Sequence, residues 1–141
     1  MSAFSNYLED KILAWAFEGT AWSTAAPTTL YISLHTADPG DTGASEVSGG
    51  SSSGIYIRIG VAATTGWTTT TAGTAASTNA ADIVFPASGT VNWSATVTHV
   101  GIWDAVSGGN LLFNGAISPS KVVSSGDVFK FLAGQLTVSV T

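Results

Sequence analysis

Apolar residues near the start of the chain recur with the period of a helix. Phe4, Leu8, Ile12 and Trp15 are separated by four, four and three positions, so an α-helix would place them on one face. This spacing predicts a single amphipathic helix in the first nineteen residues.

The ends of this helix are indicated by capping residues. Asn6 fits the N-cap position with Glu9 at the third helical position, and Gly19 fits the stop. We therefore expect the helix to extend from about Asn6 to Glu18.

Beyond Gly19 the apolar period shortens to two, the repeat of a β-strand with one buried face. Residues 29–35 form the first such segment, and residues 55–61 form the second, in which isoleucines alternate with Tyr56 and Arg58. Shorter segments follow as far as residue 140. The residues predicted to face the core are Leu30, Ile32, Leu34, Ile57, Ile59, Trp93, Val97, Phe113, Leu136 and Val138.

The segments between these strands are rich in residues that favour turns and loops. Residues 37–54 are rich in Asp, Gly and Ser and are expected to form a long exposed loop. Residues 64–81 are a Thr/Ala/Gly tract around Trp67 that fits either an edge strand or a loop. The apolar face switches between Val97 and Val100, which predicts an extra residue, as a β-bulge or corner, within residues 94–98.

Short strands separated by turns at this spacing are typical of sandwiches and small barrels. We therefore expect an all-β fold, an antiparallel two-sheet sandwich of about seven to nine strands, preceded by one N-terminal amphipathic helix. The predicted organisation is a helix and linker over residues 1–22, used for docking or oligomer contact, and a β-sandwich domain over residues 23–141.

Composition narrows the classes of partner. Charged residues make up 9% of the chain and the net charge is −5, so no basic stripe is available to neutralise nucleic-acid phosphates. Cysteine is absent, which excludes disulfides and thiolate metal sites. The chain lacks a long apolar run and the pattern of a signal peptide. We expect neither nucleic acid nor a membrane as a partner.

Four stretches form a recognisable pattern along nearly the whole chain. They are Ser5-Asn-Tyr-Leu-Glu-Asp-Lys-Ile-Leu13, Leu30-Tyr-Ile-Ser-Leu-His-Thr-Ala-Asp-Pro-Gly-Asp41, Val97-Thr-His-Val-Gly-Ile-Trp-Asp104 and Ser107-Gly-Gly-Asn-Leu-Leu-Phe113. Together with Ser125-Gly-Asp127 and Leu136-Thr-Val-Ser-Val140, this pattern resembles a family of short tailed-bacteriophage proteins labelled tail-fibre, minor structural or hypothetical proteins. The resemblance implies a virion component, assembled in the host cytoplasm, whose partners are phage coat or tail proteins.

Candidates for chemistry are few. Gly50-Ser51-Ser52-Ser53-Gly54 matches the letters of a nucleophile elbow, but it lies in a polar loop instead of between a strand and a helix. The two histidines, His35 and His99, lack a third ligand at metal spacing. Asp38, Asp41 and Glu46 do not follow the order of a calcium loop. The sequence predicts no catalytic residue, no cofactor and no metal site.

Contact surfaces are the remaining functional candidates. The helix carries more apolar side chains than one stripe needs, which favours burial against a partner, with capping of its own sheet as the alternative. Three tryptophans lie outside the predicted core and are expected to contact a partner or a host-surface glycan, or to pack internally. The candidate interface residues are Phe4, Tyr7, Leu8, Ile12, Trp15, Phe17, Trp22, Trp67 and Trp103.

Two functions fit these expectations. The first is a homo-oligomeric capsid decoration or cement protein that braces neighbouring coat subunits. The alternative is a tail-fibre or tail-tip module that binds the host surface. In both cases attachment by apolar contacts should depend weakly on ionic strength, because few exposed charges are present.

Overall fold

The computed structural model describes residues 3–21, 26–50, 52–71, 73, 75–86 and 90–140. One α-helix, α1 (Asn6–Phe17), and a short 3-10 helix (Ser52–Gly54) interrupt a chain that is otherwise built of strands and turns. The strands are β1 (Ala3–Phe4), β2 (Thr29–His35), β3 (Ile59–Ala62), β4 (Trp67–Thr70), β5 (Ala75–Asn79), β6 (Ile83–Phe85), β7 (Ala95–Trp103), β8 (Leu111–Val123), β9 (Phe129–Phe131) and β10 (Thr137–Val140).

These strands form antiparallel sheets around one apolar core. A five-stranded sheet has the order β1-β8-β7-β2-β3, a three-stranded sheet has the order β10-β5-β4, and β6 pairs with β9. Leu30 and Ile102 of the first sheet and Trp67 and Val138 of the second belong to the same apolar cluster. The all-β class, the antiparallel pairing of two facing sheets and the single N-terminal helix confirm the predicted fold, with the β6–β9 ladder as an addition.

The helix begins one residue earlier than its capping pattern suggested. The N-cap is Ser5, whose side chain accepts a hydrogen bond from the backbone N–H of Leu8 at 3.4 Å, and Asn6 is already helical. A serine hydroxyl and an asparagine amide cap a helix about equally well, so the sequence did not separate the two positions. At the other end Glu18 is the C-cap and Gly19 has a φ of 64°, which confirms the predicted stop.

The second predicted strand is wrong over residues 55–58. Strand β3 starts only at Ile59, and the side chain of Ile57 is 48% exposed instead of buried. Arg58 is buried instead, and Tyr56 packs on the aromatic core beside Phe85. The apolar alternation was misleading because Tyr56 and Arg58 bury long apolar stems once their polar ends are paired.

The loop predicted to be exposed folds back onto the protein. Pro39 is fully buried, Val47 joins the core at 4% exposure, and Gly43 lies against the ring of Trp103. A Cβ at position 43 would stand 2.2 Å from that ring, and the φ of Gly43 is 75°. Glycine is therefore required there for both space and conformation. As a result, both faces of β2 are covered, and Ser33 is as buried as its apolar neighbours.

The Thr/Ala tract of residues 64–81 contains two strands. Strands β4 and β5 pair as a hairpin, and β5 also pairs with β10, so β4 is an edge strand. The register of β7 against β8 does shift between Val97 and His99, but the extra residue predicted within residues 94–98 is not in β7. The additional residues lie in β8, where residues 117–120 separate the partners of these two positions.

Candidate interface

The start of the helix is fastened to the five-stranded sheet. Strand β1 pairs with β8, and the rings of Phe4 and Phe113 lie 5.5 Å apart. The backbone N–H of Ser5 donates to the carbonyl of Leu112 at 3.1 Å, and the Ser5 hydroxyl donates to the carbonyl of Leu111. The residues before the helix therefore belong to the sheet, while the predicted division of the chain at residues 22 and 23 stays a prediction.

Burial along the helix falls from its first turn to its last. Leu8 is 8% exposed and Ile12 is half-buried, but Trp15, on the same predicted stripe, is 62% exposed. Leu13 and Phe17, which lie on the opposite side of the helix, are 56% and 83% exposed. We call Leu13, Trp15 and Phe17 the apolar tip. Leu13 and Phe17 are neighbours on one side of the helix, Trp15 lies on the other, and exposed apolar side chains at the end of a helix are a candidate contact surface.

The other candidate interface residues occupy different environments. Phe4 and Tyr7 are half-buried at the base of the helix, where the Lys11 ammonium lies 5.6 Å from the Tyr7 ring. Trp67 is half-buried between the two sheets. Trp22 lies outside the described residues.

Trp103 is a core residue and not a surface contact. It is 6% exposed, because the loop that contains Gly43 covers the face of the sheet opposite the main core. The guanidinium of Arg58 lies 3.6 Å from the centre of its ring, a close cation–π contact. The loop was expected to be exposed, so the covering of this second face of the sheet was not predicted.

Trp103 also belongs to a buried chain of hydrogen bonds. Its indole N–H donates to the hydroxyl of Ser33 at 2.8 Å, and that hydroxyl lies 2.7 Å from Nε2 of His35. Nδ1 of His35 lies 2.7 Å from the carbonyl of Ala44, which can only accept, so Nδ1 carries the proton and Nε2 accepts from Ser33. Ser33 and His35 are both fully buried. This serine and histidine therefore hold the loop on the sheet and are closed to a substrate.

Acidification should weaken the fold through His35. Burial lowers the pKa of His35 below its ordinary value of 6.5, so the folded protein resists a proton that the unfolded chain accepts. The unfolded state then binds more protons below pH 6.5, and stability must fall as the pH drops through that value towards the lowered pKa. We expect the urea midpoint to decrease between about pH 7 and pH 5.

The matched control is His35→Gln, which removes the titrating group at this position. Its urea midpoint should change less over the same pH range, whatever its absolute stability. A wild-type midpoint that is constant between about pH 7 and pH 5 would contradict the assigned role of neutral His35.

A second buried network surrounds Glu46. Its carboxylate accepts two hydrogen bonds from the guanidinium of Arg58, at 2.9 Å from Nε and 2.8 Å from Nη2, and a third from the Tyr56 hydroxyl at 3.0 Å. The Tyr56 hydroxyl oxygen also accepts from the backbone N–H of Leu34 at 2.8 Å. Burial, followed by the charge of Glu46, raises the pKa of Tyr56 above its ordinary value. Glu46 was assigned to an exposed loop, and its true partners lie too far along the chain for a local pattern to reveal.

An apolar cavity separates the two larger sheets. Its volume is about 200 Å³, it is open to solvent on one side, and its wall includes uncharged side chains from both sheets. We call it the inter-sheet cavity; its principal lining residues are Leu30, Trp67, Ile102, Phe113, Val138 and Val140. The helix α1 contributes none of the residues that line it.

Two further features of the described residues concern membranes and metal ions. No helix in that part of the chain is long and apolar enough to cross a membrane. No group of three or more His, Asp or Glu residues is placed there to hold a metal ion.

A comparison with protein-family models gives a match over nearly the whole chain. No curated protein matches the sequence. A family model described as "Podophage GP4 fiber I protein gp80" matches residues 3–139. This agrees with the resemblance to tailed-phage virion proteins, and a fibre family fits the tail-fibre alternative better than capsid cement. The chain belongs to the podophage GP4 fiber I protein gp80 family.

Proposed function

We propose that this protein is a non-catalytic component of a phage tail fibre, and that the apolar tip of α1 is an assembly contact within the virion. The family match over residues 3–139 carries the fibre assignment. The exposure of Leu13, Trp15 and Phe17 supports the assembly contact, because these side chains gain free energy when a partner covers them. Capsid decoration lacks comparable support.

The free energy available from burial of the apolar tip is modest, which suits a contact that is repeated several times in one assembly. Complete burial of a large apolar side chain contributes about 1.5–3 kcal/mol, so three partly exposed side chains provide a modest interface. Several such contacts in one fibre would act together through their high effective concentration. The residues from Leu13 to Phe17 carry no charge, so attachment should stay only weakly sensitive to salt.

The absence of chemistry is a part of this proposal. The serine–histidine pair that comes within hydrogen-bond distance, Ser33 and His35, is fully buried and engaged in holding a loop. Recognition by a virion component of this kind would reside in shape and apolar surface, as the composition of the chain also suggests.

Virions that carry a Phe17→Ser variant test the proposal. Loss of this side chain from the contact should weaken each attachment about tenfold or more, so fewer copies should remain on purified particles. Quantitative mass spectrometry gives the copy number, and antibody labelling in electron micrographs gives the position. For the wild type we expect a small number of copies at the tail.

Glu9→Gln is the matched control, because Glu9 is exposed on the same helix but outside the tip. Its copy number should equal that of the wild type. Hundreds of copies arranged with coat symmetry would reject the fibre assignment. Normal incorporation of Phe17→Ser would reject the tip as the contact.

A further inference from the structure

We propose that Phe17 of one copy inserts into the inter-sheet cavity of a second copy. This inference rests on the proposed role of the apolar tip as an assembly contact, and it names the partner as this chain itself. Phe17 is 83% exposed, the largest exposure among the large apolar side chains that the structure describes. It needs a concave apolar partner, since the tip carries apolar groups on both sides of the helix.

The two surfaces match in charge. The helix from Leu13 to Phe17 contains no ionisable side chain, and neither does the lining of the cavity. Their contact would therefore desolvate no charge, which is the main penalty when an apolar surface enters a pocket. A pocket rimmed by carboxylates or ammonium groups would impose that penalty.

The two surfaces also match in size. A dry apolar cavity of about 150 Å³ is large enough to hold benzene in another protein. The inter-sheet cavity has a volume of about 200 Å³ and is lined mainly by apolar groups such as Leu30, Ile102 and Phe113, while the hydroxyls of Thr69 and Ser77 in its wall lie 2.7 Å from each other. A phenyl ring therefore fits within it, and Leu13, on the same side of the helix as Phe17, would lie next to the opening.

The arrangement of the two surfaces determines the kind of assembly. No residue of α1 lines the cavity, so the tip and the cavity are separate surfaces of the same molecule. An apolar group that fits a pocket elsewhere on an identical chain makes a contact that is either exchanged reciprocally in a two-fold dimer or repeated head to tail. The second arrangement gives a closed ring or a filament, and in both arrangements each copy provides one tip and one cavity.

Cross-linking between differently substituted copies tests the contact. The chain has no cysteine, so engineered thiols are the only ones present. Protein that carries Ala16→Cys is mixed with tagged protein that carries Ala75→Cys, and a short bis-maleimide is added. Ala16 is exposed beside Phe17, and Ala75 is exposed at the cavity. We expect a mixed cross-linked dimer at high yield, unchanged in about molar salt.

The controls separate a specific contact from chance collision. Val106→Cys replaces Ala75→Cys in one mixture, because Val106 is exposed in the β7–β8 loop and does not line the cavity. That mixture should give a low yield. Adding Phe17→Ala to the Ala16→Cys protein should weaken association about tenfold or more, measured by sedimentation over a concentration series.

Two outcomes would overturn the inference. Cross-links that join only Ala16→Cys to itself would show that tips pair with tips. A wild-type protein that stays monomeric at every concentration, with no mixed dimer, would show that the tip has another partner. Neither result concerns the position of the protein on the virion. The fibre assignment is therefore tested independently, by the copy number and the antibody labelling of purified particles.

Discussion

Glu46→Ala should lower the free energy of unfolding by about 3–5 kcal/mol, because it leaves the Arg58 charge buried without its counter-ion. Arg58 is 8% exposed, and Glu46 supplies both oxygens of a bidentate pair. The remaining bonds from Nη1, to the carbonyls of Ala105 and Gly108, do not neutralise the guanidinium. Against a typical total of about 5–15 kcal/mol this is a large loss, measurable by urea unfolding.

The double variant Glu46→Leu/Arg58→Met is the control for this effect. It removes both charges and fills the site with apolar groups, so its stability should lie much closer to the wild type. A loss below about 1 kcal/mol in Glu46→Ala would mean that the pair behaves as a solvated surface ion pair.

The second large effect concerns the two isoleucines that the sequence placed on the same inner face. Ile32 is fully buried in β2, so Ile32→Asp should cost several kcal/mol and leave little folded protein. Ile57 is 48% exposed, so Ile57→Asp should change stability by only about 0.5 kcal/mol. Circular dichroism and urea unfolding of the two variants check this contrast.

Equal damage from the two substitutions would contradict the placement of residues 55–58 described here. The contrast uses one change of chemistry at two sites, so differences in side-chain type do not enter. The comparison therefore reports mainly the difference in burial, because the range of strand propensity, about 1 kcal/mol, is smaller than the expected effect.

The helix and most strands were predictable because their signals are local. The spacing of Leu8 and Ile12, the glycine at position 19 and the alternation in residues 29–35 act within one element. Strand β2 has the predicted bounds, and the change of face after Val97 located the irregularity against β8. Here the period of the apolar residues was sufficient.

The failures involve partners that are distant in sequence. The faces of Tyr56 and Arg58 depend on Glu46, which an intervening loop brings back to the sheet. The burial of Trp103 depends on Gly43, whose lack of a side chain lets the loop approach. An apolar period of two indicates which residues share a face of a strand. It does not indicate which face is buried or which segment of the chain packs against it.

The candidate site was predictable in part for the same reason. The sequence showed that α1 carries apolar side chains beyond those of one buried stripe. In the structure, the exposed large apolar side chains of α1 are those of the apolar tip. The sequence did not show at which residue α1 stops being buried by the sheet. That point depends on how far the β-sandwich extends beneath Leu8 and Ile12. The cavity was also hidden, since its wall combines residues from β2, β4, β5, β7, β8 and β10.

Helix α1 is attached to the sheet at its first turn, so a rotation at this end would displace the opposite end. Its base is fixed by β1 and Ser5, while the exposure of its large apolar side chains increases from Leu8 to Phe17. Twelve helical residues span about 18 Å, so a rotation of about 10° at the base displaces the far end by about 3 Å. A small angular adjustment near Ser5 would thus let the proposed tip contact reach a partner over a range of distances without deforming the β-sheets.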